Sequence, residues 1–175
     1  LQSIGTSIAP LQNVSLCSSA ITRALTRPGA LPGLLALYGP SGYGKSFAAT
    51  YAANKHKAYY VQCKSAWTKK FFLINLLREM GVAPAKTIPE MVEQAGQEIA
   101  LSKRPLIIDE ADFLVEKNII EIVRDIYEMT TGTILLIGEE QLPAKLKKYE
   151  RFHTRVLEWI QAQPVTLDET RVLAN

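Results

Sequence analysis

The 175-residue chain is 47% hydrophobic and 21% charged, which is typical of one globular domain with enough apolar residues for a core. A net charge of +3 neither requires nor excludes a nucleic-acid partner. Cys17 and Cys63 fit no metal-ligand spacing, which argues against a disulfide framework and a zinc site. This cysteine usage is the usual one in a reducing cytoplasm, so we expect a cytoplasmic protein. No apolar run reaches the roughly 20 residues of a membrane span, so we expect no membrane partner.

Short apolar runs alternate with helical patterns along the chain. The predicted strands are residues 34–38, 58–62, 106–108, 133–137 and 164–167. The predicted helices are residues 46–55, 67–80, 88–102, 117–130 and 141–160, with Gly81 as the C-terminal cap of the second. Apolar strands that are each followed by a helix predict an α/β fold with a parallel sheet, covered on both faces and binding ligands at the carboxyl ends of its strands.

A phosphate-binding pattern lies between the first predicted strand and the first predicted helix. It has the form G-x-x-x-x-G-K-[ST] and consists of Gly39, Pro40, Ser41, Gly42, Tyr43, Gly44, Lys45 and Ser46. Its glycines let backbone N–H groups and a helix N-terminus approach an anion closely. We expect Lys45 to reach the outer phosphates of ATP and the Ser46 hydroxyl to bind Mg²⁺.

Two carboxylates end the third predicted strand. Asp109 suits a magnesium ligand, and Glu110 can orient the water that attacks the γ-phosphate. The pair can also serve as an N-cap for the next helix. Residues 109–112 spell the tetrad of the DEAD-box helicases, but those enzymes need a second domain that 175 residues do not contain.

Glu139 follows the fourth predicted strand, where a polar side chain can lie beside the γ-phosphate. An acid is unusual there, and two other interpretations stay open: Glu139 points away from the phosphates, or it caps the helix that follows.

Basic residues occur in two further segments. One is residues 145–155, where an arginine can reach the ATP of a neighbouring subunit. Arg155 is the first choice because it precedes apolar Val156 at the edge of a packed face, and Arg151 is the second. Most such basic stretches are merely a solvated face.

The other segment follows the second predicted strand, where lysines surround a tryptophan at a helix start. Such residues can contact the DNA backbone. Alternatively, the tryptophan packs into the core and the lysines are only solvated. The candidate DNA-binding residues are Lys64, Trp67, Lys69 and Lys70.

These motifs occur in the order found in AAA+ ATPases. More narrowly, the chain resembles the transposition ATPases typified by the B protein of phage Mu, and the related ExeA-like ATPases, over about residues 13–168. The resemblance rests on the P-loop, the Asp109–Glu110 pair and the segments 138–142 and 152–156. Two features depart from the family pattern: Glu139 replaces an amide or hydroxyl residue, and the C-terminal helical lid with its sensor arginine is absent.

The resemblance implies a three-layer P-loop NTPase core with strand order 5-1-4-3-2. It also implies an ATPase that assembles with ATP on double-stranded DNA as a filament, without sequence specificity, selects target sites and stimulates a transposase. Such a protein would be encoded by a phage or prophage and act in a bacterial cytoplasm. The chain lacks an initial Met and stops soon after a strand-like segment, so we expect residues 1–175 to be the core of a longer protein.

Two other functions fit the same residues. A loader or remodeller of a helicase or other protein would use its basic segment on protein. A small-molecule kinase shares the P-loop, but it does not need a strand-end Asp-Glu pair and usually has an Arg-rich lid.

Overall fold

The computed structural model describes residues 12–164, which form one five-stranded parallel sheet covered by helices on both faces. The strands are β1 (Leu34–Tyr38), β2 (Tyr59–Gln62), β3 (Leu106–Asp109), β4 (Ile134–Gly138) and β5 (Val156–Gln161). Their order is β2-β3-β4-β1-β5. The predicted three-layer P-loop NTPase fold and its strand order are confirmed.

Eight helices lie in the described part of the chain. They are α1 (Gln12–Leu25), α2 (Lys45–His56), α3 (Lys69–Glu79), α4 (Ile88–Ser102), α5 (Asp112–Glu116), α6 (Ile120–Thr130), α7 (Leu142–Leu146) and α8 (Glu150–His153). No helical lid follows β5 within residues 12–164. None of the helices in this range has the length and apolar character needed to cross a bilayer.

The central strands are apolar because both of their faces are buried. Leu34, Ala36 and Leu136 face a core shared with α3, α4 and α6. Leu35 and Leu37 face a second core under α1 and α2. Burial on both faces removes the alternation of polar and apolar residues that marks a half-exposed strand.

Two helices have clear sequence signals at their ends. Thr68 and Thr87 cap the starts of α3 and α4, each accepting a hydrogen bond from the backbone three residues on. Gly81 follows α3 with φ 74°, and its N–H bonds to the carbonyl of Arg78. The predicted glycine cap is therefore confirmed.

The predicted helix over residues 141–160 is wrong. The segment forms two short helices and then β5, which pairs with β1. A β-bulge explains the error, since Leu34 pairs with Val156 and Leu35 pairs with Glu158, so Leu157 is an extra residue. The bulge breaks strand alternation and leaves apolar residues at 156, 157, 159 and 160, a spacing typical of a helix.

Other boundaries also differ from the predictions. The helix predicted at 117–130 begins at Ile120 and is preceded by the separate helix α5, and α1 was not predicted. Pro164 belongs to no strand, and the rest of the strand predicted at 164–167 lies outside the described residues.

Candidate active site

The P-loop connects β1 to α2 at the carboxyl edge of the sheet. Gly42 has φ 86° and Gly44 has φ 73°, a left-handed conformation that L side chains rarely adopt. Gly39 is required for a different reason, because a Cβ there would lie 2.9 Å from the Cβ of Ala162. The local sequence thus determines both the turn and its close contact with the chain after β5.

A cleft of about 220 Å³ is formed by residues from the ends of three strands. From the P-loop it includes residues 41–47, and from β3 and β4 it includes Asp109, Glu110, Gly138 and Glu139. Parallel strands end at one edge of a sheet, so residues far apart in sequence meet here. Gly39 and Pro40 lie at the base of the loop, where their carbonyl groups accept hydrogen bonds from Lys45.

Lys45 is the buried cation of this cleft, with 8% of its surface exposed. Its ammonium group donates to the carbonyl of Gly39 and to that of Pro40 at 2.9 Å. Glu139 Oε2 lies 3.8 Å from Lys45 Nζ. Glu139 therefore faces the P-loop, and its side chain does not cap α7, whose N-cap is Gln141.

Asp109 lies at the tip of β3 and is 2% exposed. Its Oδ2 accepts hydrogen bonds from Ser46 Oγ at 2.7 Å and from Tyr60 Oη at 2.6 Å. Its Oδ1 accepts from the backbone N–H of Glu110 at 2.8 Å. Neither carboxylate of the pair caps α5, because the N-cap position is Ala111 without a side-chain hydrogen bond.

Glu110 is half-buried and has an unusual backbone. Its φ of 55° is in the left-handed region, where a residue with a side chain costs about 1–2 kcal/mol. Burial raises the pKa of its carboxyl, and the charges of Asp109, Glu139 and Asp112 raise it further, whereas Lys45 lowers it. A strained, partly desolvated carboxyl at the mouth of a cleft has the properties of a general base.

The oxygens of Ser46 and Asp109 suit a magnesium ion. Mg²⁺ prefers hydroxyl and carboxylate oxygens and usually keeps several waters or phosphate oxygens as further ligands. Within residues 12–164, no group of three or more His, Cys, Asp or Glu side chains is arranged to hold a metal by itself. Ser46 and Asp109 supply two oxygens, so water and phosphate oxygens would provide the other ligands of a magnesium ion at this site.

The two arginines considered for a neighbouring subunit lie outside this cleft. Arg155 directly precedes β5, at the amino edge of the sheet, and forms an ion pair of 2.7 Å with Glu128. Arg151 is exposed on α8. Five residues of β1 span about 17 Å, so the sheet separates Arg155 from the P-loop of the same chain.

The candidate DNA-binding residues lie at the same edge of the sheet as the cleft. Lys64, Lys69 and Lys70 are exposed, on the loop after β2 and in the first turn of α3. Trp67 is partly buried against the core and forms an edge contact with Phe71, with ring centroids 5.6 Å apart. Lys117, which the sequence analysis did not single out, donates to the carbonyls of Ser65 and Trp67 across this loop.

Three other residues of the site carried no sequence signal. Tyr60 reaches Asp109 from β2. Asp112 accepts the backbone N–H of Glu139 at 2.9 Å and holds the end of β4. Asn13 donates to the carbonyls of Tyr43 and Gln163, which links α1, the P-loop and the chain after β5. Only the folded chain brings these polar groups to the motifs.

The sequence of residues 30–146 matches the AAA domain family. The chain belongs to that family. No curated protein matches this AAA domain significantly. The family match supports an AAA+ ATPase in general, without assigning the chain to the Mu B or ExeA-like group.

Three solved structures with the fold of this AAA domain come from archaea. A Walker-type ATPase of Pyrococcus abyssi has a TM-score of 0.58 at 15% identity, over 90% of this chain and 55% of that one. Cdc6p of Pyrobaculum aerophilum has a TM-score of 0.61 at 14% identity, over 93% of this chain and 47% of that one. A STAND signal transduction ATPase of Pyrococcus horikoshii has a TM-score of 0.50 at 17% identity, over 87% of this chain and 24% of that one. The chain thus spans about half the length of the first two proteins and about a quarter of the third.

Proposed function

We propose that this AAA domain binds MgATP and hydrolyses it. The observation that carries the proposal is the single cleft shared by the P-loop, Asp109, Glu110 and Glu139. Residues 39–46 hold the phosphates of ATP. The ammonium group of Lys45 gives up its hydrogen bonds to the P-loop carbonyls and binds the outer phosphates instead. Ser46 and Asp109 hold Mg²⁺, which supplies electrostatic stabilisation of the phosphates, and Glu110 accepts a proton from the attacking water.

Two substitutions test the two steps separately. Lys45→Ala should weaken ATP binding by at least about 30-fold, since it removes a buried cation from the phosphate site. Glu110→Gln should leave nucleotide affinity intact and lower kcat by about 10²- to 10⁴-fold, because an amide cannot take the proton. Calorimetry and phosphate release measure these effects.

Lys55→Ala is the matched control, since it removes an exposed lysine from the last turn of the same helix. Undiminished ATP affinity in Lys45→Ala would exclude the P-loop as the nucleotide site. Parent-level turnover in Glu110→Gln would give Glu110 a structural role.

We further propose that the assembled, ATP-bound protein binds double-stranded DNA without sequence specificity and regulates DNA transposition in a bacterial cytoplasm, by selecting target sites and stimulating a transposase. The supporting observation is electrostatic. Lys69 and Lys70 lie in the first turn of α3, and that turn contains no acidic residue. The helix dipole disfavours cations there by about 0.3–1 kcal/mol each, whereas a phosphate backbone would bind both the lysines and the helix N-terminus.

Hydrolysis measured with and without duplex DNA distinguishes this proposal from its alternatives. A DNA-dependent transposition regulator should hydrolyse ATP faster when duplex DNA of any sequence is added. A loader or remodeller of another protein should respond to that protein instead, and a small-molecule kinase should transfer phosphate to a metabolite. An ATPase rate that duplex DNA leaves unchanged would contradict the transposition proposal.

A further inference from the structure

Three elements donate hydrogen bonds to the carboxylate of Asp109. Ser46, from α2, and Tyr60, from β2, both donate to Oδ2, at 2.7 and 2.6 Å. The backbone N–H of Glu110, in the loop after β3, donates to Oδ1 at 2.8 Å. Two donors on one oxygen and one on the other leave a single favourable orientation for the carboxylate plane.

The hydroxyl of Tyr60 can act only as a donor to this carboxylate. A tyrosine phenol carries its proton at neutral pH, and the Oη of Tyr60 lies 2.6 Å from Asp109 Oδ2. An ionised carboxylate has acceptor sites alone. The pair therefore has one possible direction, from Tyr60 Oη to Asp109 Oδ2.

We propose that Tyr60 is a positioning residue for magnesium, because its hydroxyl holds the Asp109 carboxylate in the orientation that meets Ser46. The inference rests on the proposed function, in which these two residues hold the ion. Mg²⁺ demands near-ideal octahedral geometry, so its affinity depends strongly on how its ligands are placed. Partners that orient metal ligands typically contribute about 10- to 100-fold to metal affinity.

Tyr59 provides a matched control in the same strand. Side chains alternate along β2, so Tyr59 lies on the opposite face of the sheet, in the core with α3 and α4. Its hydroxyl also bonds to a carboxylate, Glu98, at 2.9 Å. Tyr59→Phe and Tyr60→Phe therefore remove the same group from neighbouring residues, and only one of the two groups touches the site.

The experiment measures binding of a fluorescent ATP analogue to the 175-residue chain, at increasing Mg²⁺ and in EDTA. Tyr60→Phe should raise the Mg²⁺ concentration required for half-maximal enhancement of binding by about 10- to 100-fold. Its affinity for the analogue in EDTA should equal that of the parent, since the P-loop is untouched. Tyr59→Phe should match the parent in both conditions, and Tyr60→Leu should repeat the Mg²⁺ shift. In the Asp109→Asn background, Tyr60→Phe should change nothing more.

Three results would overturn the inference. The first is a Tyr60→Phe chain with the same Mg²⁺ dependence as the parent, or with tighter Mg²⁺ binding. The second is an equal shift in Tyr59→Phe, which would make the effect a general one of the strand. The third is a further loss in the Asp109→Asn background. Failure of the proposed function is separately visible, since the parent chain itself would then show no Mg²⁺-dependent binding, and the inference would fail with it.

Discussion

Glu139 brings a negative charge into the cleft, beside the lysine that the P-loop supplies. It is 45% exposed, whereas Lys45, 3.8 Å away, is 8% exposed. The resulting ion pair is modest, because solvent screens the carboxylate. The more important effect of Glu139 is on Glu110, since its charge is among those that raise the pKa of Glu110.

The pH dependence of hydrolysis should reflect this neighbour. A base with a raised pKa takes up its proton at a higher pH than an ordinary glutamate, so kcat/KM should fall early as the solution is acidified. Glu139→Gln removes one of the charges that raise this pKa, and should move the acid limb of kcat/KM to lower pH. Measurements of kcat/KM between about pH 4 and pH 8 determine the pH at which it falls on the acid side.

The neighbouring Glu140→Gln serves as the control, because Glu140 is exposed and does not line the cleft. An acid limb that stays in place in Glu139→Gln, or that moves to higher pH, would contradict this account of Glu110.

At the scale of elements, the end of β4 is tied to α5 and α7 by one buried carboxylate. Asp112 accepts the N–H of Glu139 at 2.9 Å and pairs with Lys145 at 3.1 Å. Gly138 is required beside it, since a Cβ there would lie 2.5 Å from Asp112 Oδ2. Lys145 also pairs with Glu116, so this lysine of the basic stretch is engaged within the fold.

Asp112→Ala should therefore lower the free energy of unfolding by about 1–3 kcal/mol, because it leaves the partly buried N–H of Glu139 without its acceptor and removes one of the two carboxylates that pair with Lys145. Urea denaturation measures the change. Asp125→Ala is the comparison, since Asp125 is 53% exposed and pairs with Arg124 at 3.3 Å. Its effect should stay within about 0.5 kcal/mol. Equal losses in both variants would show that Asp112 has no special part in holding β4.

The lysines near the start of α3 lead to a prediction about DNA binding. Replacing Lys64, Lys69 and Lys70 with Ala should weaken binding of duplex DNA alike for all sequences, because phosphate contacts carry no base information. The slope of log affinity against log salt should fall by about 2.7, at about 0.9 for each phosphate that is no longer neutralised. ATP affinity should be unchanged. Fluorescence anisotropy at several salt concentrations measures affinity and slope.

The matched control removes the same charge from elsewhere. Lys55, Lys57 and Lys103 are exposed and precede β2 and β3, at the opposite edge of the sheet. Their triple replacement should leave the salt slope unchanged. If both triple variants bind DNA equally weakly, the loss of affinity comes from the lower net charge. Lys64, Lys69 and Lys70 would then be solvated residues that do not contact DNA.

At the scale of the whole molecule, the sheet separates the two catalytic contributions that we propose. The P-loop lies at the carboxyl edge, and Arg155 lies at the amino edge, paired with Glu128. An arginine in this place cannot act on the ATP of its own chain. It can act on the ATP of a neighbour, a contribution worth about 10³- to 10⁵-fold in rate in related phosphoryl transfers.

Arg155→Ala should therefore leave ATP affinity of the monomer intact and lower hydrolysis only at concentrations where the chain assembles. Mixing Arg155→Ala with Lys45→Ala should restore part of the activity. The first variant supplies an intact P-loop, and the second supplies the arginine that acts on it from a neighbouring subunit. Arg78→Ala, which removes an exposed arginine at the end of α3, should behave like the parent. Normal turnover of Arg155→Ala, without rescue in mixtures, would move the role to Arg151 or remove it.

The sequence alone determined the fold class and the position of the chemistry. Apolar strands followed by helices predict a parallel sheet, and a sheet of that kind gathers strand-end residues at one edge. The P-loop pattern follows the first of these strands and so places the phosphate site at that edge. Its glycines are required there because Gly42 and Gly44 have positive φ. These are local effects of backbone conformation and burial, and they depend on residues close together in the chain.

The tertiary structure decided what depends on distant contacts. β5 is a strand because it pairs with β1 through a bulge that its own sequence does not reveal. Tyr60 meets Asp109 because β2 pairs with β3, and Asp112 meets Glu139 because β3 pairs with β4 and the two strands end at the same edge. Hydrogen bonds between such residues are set by strand register and not by sequence spacing. The motifs of this AAA domain could therefore be predicted from the sequence, whereas the residues that orient those motifs could be identified only in the folded chain.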